Sequence, residues 1–323
     1  MEKFVYEYAT KVYFGDGAAK EHLAEAISGY GQNVMLAYGG GSVKKNGIYD
    51  EVKGSLESAG KKVTDFSGVM SNPTYKKVQE GAKLAKEEKI DFILAVGGGS
   101  VIDCCKIIAA QAKTERDLWE MEMTGHQFPT EVLPMGAIVT ASGTGAEMNG
   151  GAVITNEEKV IKSGMAAAAP RFAILDPGYT ASVPRMQVIS GAFDTLSHAM
   201  ETYFGRSDEN NLSDDVALAI MRNTVVNMRR LLKNIDDMQA RGNGEPDVGF
   251  RHGGKWYPEG GQSDGFPGSS AGAPAGRLHG LQPWTRFGGD PSRLLPPYRK
   301  GRGREIPEIR KGGIRSGHGR GGC

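Results

Sequence analysis

The stretch that decides the fold reads Phe92-Ile93-Leu94-Ala95-Val96-Gly97-Gly98-Gly99-Ser100-Val101-Ile102-Asp103, an apolar run followed by three glycines and the start of a helical pattern. A strand that passes through a glycine loop directly into a helix turns unpaired backbone N–H groups toward one point, where an anion can bind. Glycine suits such a loop because a side chain would block the close approach of a phosphate. We therefore interpret Gly97, Gly98, Gly99 and Ser100 as a pyrophosphate site rather than as a flexible turn. Asp103 is a further cofactor-binding candidate, although an acidic residue early in a helix also stabilises the helix dipole without a ligand.

Short apolar runs alternate with amphipathic stretches on both sides of this loop, from Val34 to Asp176. That alternation is typical of parallel strands joined by crossover helices. Strands are predicted at residues 34–37, Lys62–Phe66, 92–96, 136–140 and Phe172–Leu175, and helices at 47–59, 74–88 and 101–112. The sequence thus predicts an α/β domain with a Rossmann-like fold over residues 1–184.

The pattern changes at Pro184, after which apolar residues recur at helical spacing and no further strand is predicted. One helix is expected over 186–204, and Ser213 is expected to cap a second one. The apolar positions expected on one face of this second helix are Ala217, Ile220, Met221, Val225, Met228, Leu232 and Ile235. We interpret residues 185–240 as the start of an all-α domain that is truncated.

The composition changes again after residue 240. Residues 241–323 hold 22 of the 47 glycines and 9 of the 15 prolines, and they carry 14 Lys and Arg against 7 Asp and Glu. Such a segment buries too little apolar area to offset the entropy of ordering it, so we expect a disordered or irregular Gly/Arg/Pro-rich tail. An RNA-binding segment is the alternative, because arginine-rich stretches can fold on nucleic acid. The net charge of the whole chain is only +1, so we expect neither nucleic acid nor a membrane surface as a partner.

The cysteine content and the lack of long apolar runs indicate a soluble cytoplasmic protein. Only three cysteines occur, and Cys104 and Cys105 are adjacent, which does not suit a structural disulfide. The first residues lack the apolar core of a signal peptide, and no run approaches the roughly 18 apolar residues that span a bilayer.

An earlier glycine loop, Gly39-Gly40-Gly41-Ser42-Val43-Lys44-Lys45, also follows a predicted strand. Enzymes that use NAD commonly place a carboxylate against the ribose 2′-hydroxyl, whereas a 2′-phosphate is bound by hydroxyls, backbone amides and cations. The loop has no carboxylate, and Gly41, Ser42, Lys44 and Lys45 suit the phosphate, so we predict that Gly40, Gly41 and Ser42 bind NADP(H). The alternative is that Lys44 and Lys45 form an ordinary solvated face.

A third loop, from Thr140 to Asn149, follows another predicted strand and is rich in small hydroxylated residues. Open α/β sheets bind ligands at the carboxyl ends of their strands. We therefore predict that Thr140, Ser142 and Thr144 lie along the ribose and nicotinamide side of the cofactor.

Asp194 and His198 lie four residues apart within the first helix expected after Pro184. This spacing places both side chains on one face, where a carboxylate oxygen and an imidazole nitrogen can share a cation. The ligand types suit Fe²⁺ or Zn²⁺, which can polarise an alcohol oxygen as a Lewis acid. This spacing more often marks a surface pair, but apolar neighbours such as Phe193 and Met200 favour a metal site. Two ligands are nevertheless fewer than the three or more that a catalytic metal takes.

Together these residues resemble the iron-dependent (group III) alcohol dehydrogenases, in particular the branch of NADPH-linked butanol dehydrogenases and aldehyde reductases. The resemblance extends from Phe4 to about Asp237. It rests on Lys11-Val12-Tyr13-Phe14-Gly15, Ser71-Asn72-Pro73, the motif at 97–103, Ser142-Gly143-Thr144-Gly145, Phe172-Ala173-Ile174-Leu175-Asp176-Pro177, and Asp194 with His198.

The resemblance implies a metal in a cleft between two domains and hydride transfer between NADP(H) and a primary alcohol or aldehyde. It implies that Asp194 and His198 act in catalysis through the metal, that Asn72 and Asn149 lie in the cofactor cleft, and that Lys162 lies near the cofactor ribose. It also implies a homodimer in the intact family. A related polyol dehydrogenase, or a dehydroquinate-synthase-like lyase of the same architecture, is the alternative.

The chain departs from the family in its last part. The two remaining metal ligands of the family are histidines, in a His-x-x-x-His stretch and in a later His-Gly, and residues 265–285 contain only His279-Gly280. When residues 266–299 are back-translated with suitably chosen permitted codons and read one nucleotide later, they can give a histidine-bearing sequence of the family's kind. We hypothesise a frameshift near residue 240, which would leave a non-catalytic nucleotide-binding fragment. The coding DNA tests this, because the hypothesis requires an apolar, histidine-bearing sequence in the adjacent reading frame.

Overall fold

Apolar segments of the first half form a layered α/β structure in the computed structural model, which describes residues 10–204 and 212–244. The strands are β1 (Lys11–Phe14), β2 (Asn33–Tyr38), β3 (Lys62–Phe66), β4 (Phe92–Gly98), β5 (Met135–Ala141), β6 (Gly151–Asn156), β7 (Ile161–Ala166) and β8 (Phe172–Leu175). The helices are α1 (Ala18–Ser28), α2 (Ser42–Lys45), α3 (Ile48–Ser58), α4 (Tyr75–Glu87), α5 (Gly99–Gln111), α6 (Leu118–Met123), α7 (Arg185–Phe204), α8 (Leu212–Lys233) and α9 (Met238–Gly244).

Six of the strands form one parallel sheet in the order β1-β8-β5-β4-β2-β3. Apolar residues of α1 and α3 pack on one face of this sheet, and those of α4 and α5 pack on the other. Because both faces are covered, the central strands have no solvent side and can be apolar at every position. In β4 every residue from Phe92 to Gly97 is buried.

The five strands and three helices predicted for this block are confirmed, with β4 extending to Gly98. The edge strand β1, which pairs in parallel with β8, and the helices α1 and α6 were not predicted. The predicted start of α4 is also confirmed, because the Thr74 hydroxyl caps this helix by accepting a hydrogen bond from the Lys77 N–H.

A second, two-stranded sheet was not predicted either. Strands β6 and β7 form an antiparallel hairpin that lies against α5. The Asp103 carboxylate accepts a hydrogen bond from the Val153 N–H at 2.9 Å, and the Thr155 N–H donates to the Pro73 carbonyl at 2.9 Å. An isolated hairpin is only marginally stable in water, so these attachments to the larger domain hold it in place.

The part after Pro184 is helical, as predicted, but its details differ. Leu232, expected on the buried face of α8, is 46% exposed, and Ile235 lies beyond the end of the helix. The fully buried positions of α8 include Ala217, Thr224, Asn227 and Leu231.

The boundary expected at residue 240 falls inside α9, which runs to Gly244. Buried Arg241 connects α9 to the preceding domain, because its guanidinium donates to the Thr180 carbonyl at 2.5 Å. The predicted disorder and the hypothesised frameshift concern residues that lie almost entirely outside the described part of the chain. Within the described part, no helix combines the length and the apolar character that a membrane span requires.

Candidate cofactor and metal site

The candidate site lies at the carboxyl edge of the parallel sheet. β2 and β4 are neighbours in the sheet, although the chain passes through β3 on the far side of β2 between them. From β2 the chain adds β3 on one side of the sheet, and from β4 it adds β5 on the other side, so the strand order reverses between β2 and β4. Open α/β sheets bind ligands in the crevice at such a switch point. The two glycine loops follow β2 and β4 and therefore flank this crevice.

The loop after β4 packs so tightly that its glycines cannot be replaced without movement. A Cβ atom on Gly99, the first residue of α5, would lie 2.3 Å from the Thr144 hydroxyl oxygen. A Cβ atom on Gly97 would lie 2.5 Å from the Val101 side chain. The predicted residues Gly97 to Ser100 thus occupy a strand end and the amino end of a 13-residue helix. This is the geometry that the anion-site prediction requires.

The loop after β2 is open where the other loop is tight. Cβ atoms on Gly40 and Gly41 would meet no protein atom within 4 Å, and Gly41 has a left-handed backbone with φ of +110°. Gly40 and Ser42 are both exposed. A ligand can therefore approach this backbone closely.

Lys44, which supported the NADP(H) prediction, already has aromatic partners. Its Nζ lies 4.3 Å from the ring centre of Tyr49 and 5.1 Å from that of Tyr38. The Tyr38 hydroxyl beside it raises the pKa of Lys44 above its ordinary value. The Tyr49 hydroxyl donates in turn to Asp65 at 2.8 Å. Lys44 thus already makes cation–π contacts, so the NADP(H) argument depends mainly on Gly40, Gly41, Ser42 and exposed Lys45.

Lys162 and Asn72 meet at the side of the crevice. The Lys162 ammonium on β7 donates to the Asn72 side-chain oxygen at 2.7 Å, and both residues are exposed. Asn72 has a left-handed backbone with φ of +53°, which asparagine tolerates better than most residues. Two residues that the family resemblance assigned to the cofactor are therefore direct partners.

The loop after β5 connects the two halves of the site. Thr140, near the end of β5, and Ser142, the first residue of the loop, are partly buried, while Thr144 is exposed and packs beside Gly99. Asn149 at its end is held at both side-chain atoms. Its oxygen accepts hydrogen bonds from the Gly151 N–H and from the Lys106 ammonium, both at 3.0 Å, and its amide donates to the Gly145 carbonyl at 2.9 Å.

Asp194 and His198 project from the same side of α7. Asp194 Oδ1 and His198 Nε2 are 3.8 Å apart, and the side chains are 44% and 46% exposed. A Cβ atom on Gly143, in the loop after β5, would lie 3.6 Å from Asp194 Oδ2. The Thr195 hydroxyl also reaches the Gly143 carbonyl, at 3.5 Å. The acid–imidazole pair therefore adjoins the same loop that contacts the glycines of α5.

The pair fits part of a metal site. A separation of 3.8 Å lets both atoms contact one cation, and oxygen with nitrogen is a donor set that Fe²⁺ and Zn²⁺ accept. Among residues 10–204 and 212–244 there is no group of three or more His, Cys, Asp or Glu side chains that could hold a metal. The apolar neighbours Phe193 and Met200, which favoured a metal site in the sequence, are themselves 58% and 42% exposed, so they do not enclose the pair.

Lys106 was missed by the sequence reasoning. Its side chain is fully buried and lies 3.7 Å from Asp103, three residues earlier on α5. The spacing of an acid and a lysine at i and i+3 was visible in the sequence. A surface ion pair has the same spacing, however, so only the burial distinguishes the two.

The described residues thus combine an open α/β sheet, a switch-point crevice between two glycine loops and a carboxylate–imidazole pair beside it. The chain belongs to the iron-containing alcohol dehydrogenases, because the sequence model of that family matches residues 9–177. The match covers most of the α/β domain and ends just before the helical part.

Similar proteins extend the comparison into the helical part. The chain is 42% identical over 243 residues to the probable NADH-dependent butanol dehydrogenase 1 of Bacillus subtilis, covering 75% of this chain and 62% of that protein. It is 36% identical over 247 residues to the NADPH-dependent aldehyde reductase YqhD of Escherichia coli, covering 75% and 63%. The crystal structure of NADH-dependent butanol dehydrogenase A from Thermotoga maritima superposes with a TM-score of 0.71 at 40% identity, covering 75% and 61%. The chain thus spans less than two thirds of the length of each relative.

Proposed function

We propose that this chain takes part in hydride transfer between a nicotinamide dinucleotide and a primary alcohol or aldehyde. One observation carries the proposal: Gly99 packs beside Thr144, while the preceding residue, Gly143, lies beside Asp194 and accepts a hydrogen bond from the Thr195 hydroxyl on α7. A phosphate cradle and a metal-ligand pair thereby share one loop. The names of the relatives, butanol dehydrogenases and an aldehyde reductase, support the substrate class.

The proposed roles follow from the chemistry of each group. The backbone N–H groups of Gly97 to Ser100 bind the pyrophosphate, and the amino end of α5 stabilises its charge. Gly40, Gly41 and Ser42 receive the adenosine ribose. Asn72 and Lys162 bind hydroxyl groups of the cofactor, and Asp103 and Asn149 face it from α5 and from the loop after β5. Thr140, Ser142 and Thr144 border the nicotinamide side.

Asp194 and His198 would hold Fe²⁺ or Zn²⁺ in this proposal. Such an ion supplies a Lewis acid, and the cofactor supplies the hydride. The chain's own contribution is to keep the two ligands on one helical face and to place that face against Gly143. We also propose the division into a Rossmann-like domain over 1–184 and a helical domain from 185, and, from the resemblance alone, a homodimer in the cytoplasm.

We propose NADP(H) as the cofactor, because no carboxylate lies in the open loop after β2. The test is a fluorescence titration with NADPH and NADH of the unaltered chain and of Gly40→Asp. A Cβ atom at this position meets no protein atom within 4 Å, and the new carboxylate would repel a 2′-phosphate while accepting a hydrogen bond from a 2′-hydroxyl. We expect the dissociation constant for NADPH to rise about tenfold or more, with NADH affected far less.

Gly54→Asp is the matched control. Gly54 is equally open and exposed but lies on α3, so this variant should bind both cofactors like the unaltered chain. Tighter binding of NADH than of NADPH by the unaltered chain would reverse the cofactor proposal. If neither nucleotide bound, both the cofactor proposal and the proposed function would be wrong.

A second candidate is a nucleotide-binding protein without catalysis. It is favoured by one observation, that the described residues provide only two ligands where a catalytic metal takes three or more. An aldehyde-reduction assay on protein with measured iron and zinc content separates the two. Turnover with a stoichiometric metal excludes the second candidate, whereas cofactor binding without turnover supports it.

A further inference from the structure

Lys106 is the one lysine of α5, and its ammonium group is enclosed beneath the crevice. Its side chain has no exposed surface, and its Nζ donates to the Asn149 side-chain oxygen at 3.0 Å and to the Gly151 carbonyl at 2.6 Å. Asp103 Oδ1 lies 3.7 Å away. A buried charge costs several kcal/mol unless it is paired and hydrogen-bonded, and this one has both kinds of partner.

Two of the three partners of Lys106, Asn149 and Asp103, are residues that the proposed function assigns to the cofactor. Asn149 donates one amide N–H to the Gly145 carbonyl, which leaves its second N–H for a ligand. Asp103 uses its other oxygen to accept from the Val153 N–H and remains 16% exposed at its side chain. Lys106 therefore connects a helix, a loop and the hairpin at a single atom.

We propose that Lys106 is a positioning residue, which holds Asn149 and Asp103 in the orientations that receive the nicotinamide dinucleotide. This inference rests on the proposed function. Lys106 does not reach the cofactor itself, because it has no exposed surface. Its effect passes through Asn149, whose oxygen it fixes, and through Asp103, whose charge it balances.

The charge on Lys106 makes this role dependent on pH. Burial lowers the pKa of Lys106 to about 8, although the carboxylates of Asp103 and Glu147 oppose that effect. Glu147 is buried in the loop after β5, and Arg171 borders the same small cavity as Lys106. Below about pH 8 the ammonium is charged and holds both partners. Above that pH it loses its proton, and the orientation of Asn149 and Asp103 loosens.

The test measures the dissociation constant of NADPH, and separately of NADH, from pH 6.5 to about 9.5 by nucleotide fluorescence. The full chain is compared with Lys106→Met and Lys106→Arg. Methionine has similar bulk but no donor, so we expect a dissociation constant raised about tenfold at pH 7, and no alkaline decline in affinity. Arginine keeps its charge throughout this range, so it should restore part of the affinity and bind without an alkaline decline.

Lys61→Met is the matched control. Lys61 is also buried, and its ammonium donates to the carbonyls of Tyr30 and Gly31 at 2.7 and 3.2 Å. It lies just before β3, at the amino edge of the sheet and away from the crevice. Lys61→Met should lower the free energy of unfolding. It should keep the affinity for the nucleotides and the decline of that affinity at alkaline pH.

The outcomes separate the two proposals. If the unaltered chain binds neither nucleotide, the proposed function and this inference both fail. If it binds, and Lys106→Met keeps the same affinity and the same pH profile, only the positioning role fails. A Lys61→Met variant with the same loss of affinity as Lys106→Met would also overturn it, because general destabilisation would then explain both.

Discussion

The α/β part and the helical part of this chain use their apolar residues differently. Helix α5 buries ten of its 13 residues between the sheet, α4 and the hairpin. Helix α7 has 20 residues, and its buried ones among the described residues are Thr195 and Ala199. It exposes instead Met186, Phe193, Met200 and Phe204.

The difference follows from how each architecture buries its apolar residues. A sheet with helices on both faces encloses its own apolar residues, so the α/β part needs nothing further. A pair of helices buries one stripe of each, and every other apolar stripe stays on the surface. The proposed pyrophosphate loop therefore stands on an enclosed core, while the proposed metal ligands Asp194 and His198 stand on a helix that is largely exposed within the described residues.

The largest effect is expected on the free energy of unfolding, when a buried phenylalanine and an exposed one are each replaced by alanine. Phe92 on β4 is fully buried and stacks on Phe172, whereas Phe193 on α7 is 58% exposed. Phe92→Ala should lower the free energy of unfolding by about 3–5 kcal/mol, because it removes buried area and leaves a cavity. Phe193→Ala should change it by no more than about 0.5 kcal/mol. Urea denaturation followed by circular dichroism measures both, and similar losses in the two variants would show that α7 is as enclosed as the sheet.

A smaller effect is expected on the pH dependence of stability, because the α/β part also buries a carboxyl group. Glu122 on α6 is buried, and one of its oxygens accepts from the Ala166 N–H at 2.7 Å. The other oxygen has no hydrogen-bond partner among the described residues. Burial raises the pKa of Glu122 to about 7, so the folded state holds a proton that the unfolded state releases near pH 4.5. This stabilising effect is fully present below pH 4.5 and is lost as the pH rises through 7.

Glu122→Gln removes this titration. The free energy of unfolding of the variant, relative to the unaltered chain, should therefore increase by about 2 kcal/mol between pH 5 and 8. Glu120→Gln is the control, since Glu120 lies on the same helix but is exposed and paired with Lys159. A difference between Glu122→Gln and the unaltered chain that stays constant over this range would contradict the prediction.

The smallest expected effect concerns the metal-ligand pair. Two half-exposed ligands bind a cation weakly, so Zn²⁺ should raise the free energy of unfolding by only about 1 kcal/mol or less. Thermal melting with Zn²⁺, reversed by a chelator, measures this. Asp194→Asn should abolish the increase, whereas Asp215→Asn, at an exposed carboxylate on α8, should keep it. An increase of the same size in Asp194→Asn would place the bound metal elsewhere on the chain.

The sequence predicted the elements that neighbouring residues determine, and it missed those that depend on contacts between residues far apart in the chain. Central strands such as β4 were recognised because burial on both faces leaves a continuous apolar run. The edge strand β1 has only four residues, and the hairpin is stabilised by contacts with Asp103 and Pro73 that are distant in sequence. Leu232 was misplaced because helical spacing identifies a stripe without showing which stripe has a neighbour.

The site divides in the same way. A glycine loop between a strand and a helix predicts a phosphate site from the sequence alone, since the cause is local backbone geometry. The contact of Gly99 with Thr144, and of Gly143 with α7, joins residues more than 40 positions apart. No periodicity in the sequence could indicate those contacts.

The sequence by itself determined the strand, loop and helix units, the glycine loops and the spacing of Asp194 and His198, because each depends on residues within a few positions of one another. The tertiary structure alone decided that β5, β4 and β2 are neighbours, which gathers three loops at one edge. It alone decided that Lys106 is enclosed while Phe193 is exposed. Burial depends on what packs against a residue, and those neighbours come from distant parts of the chain.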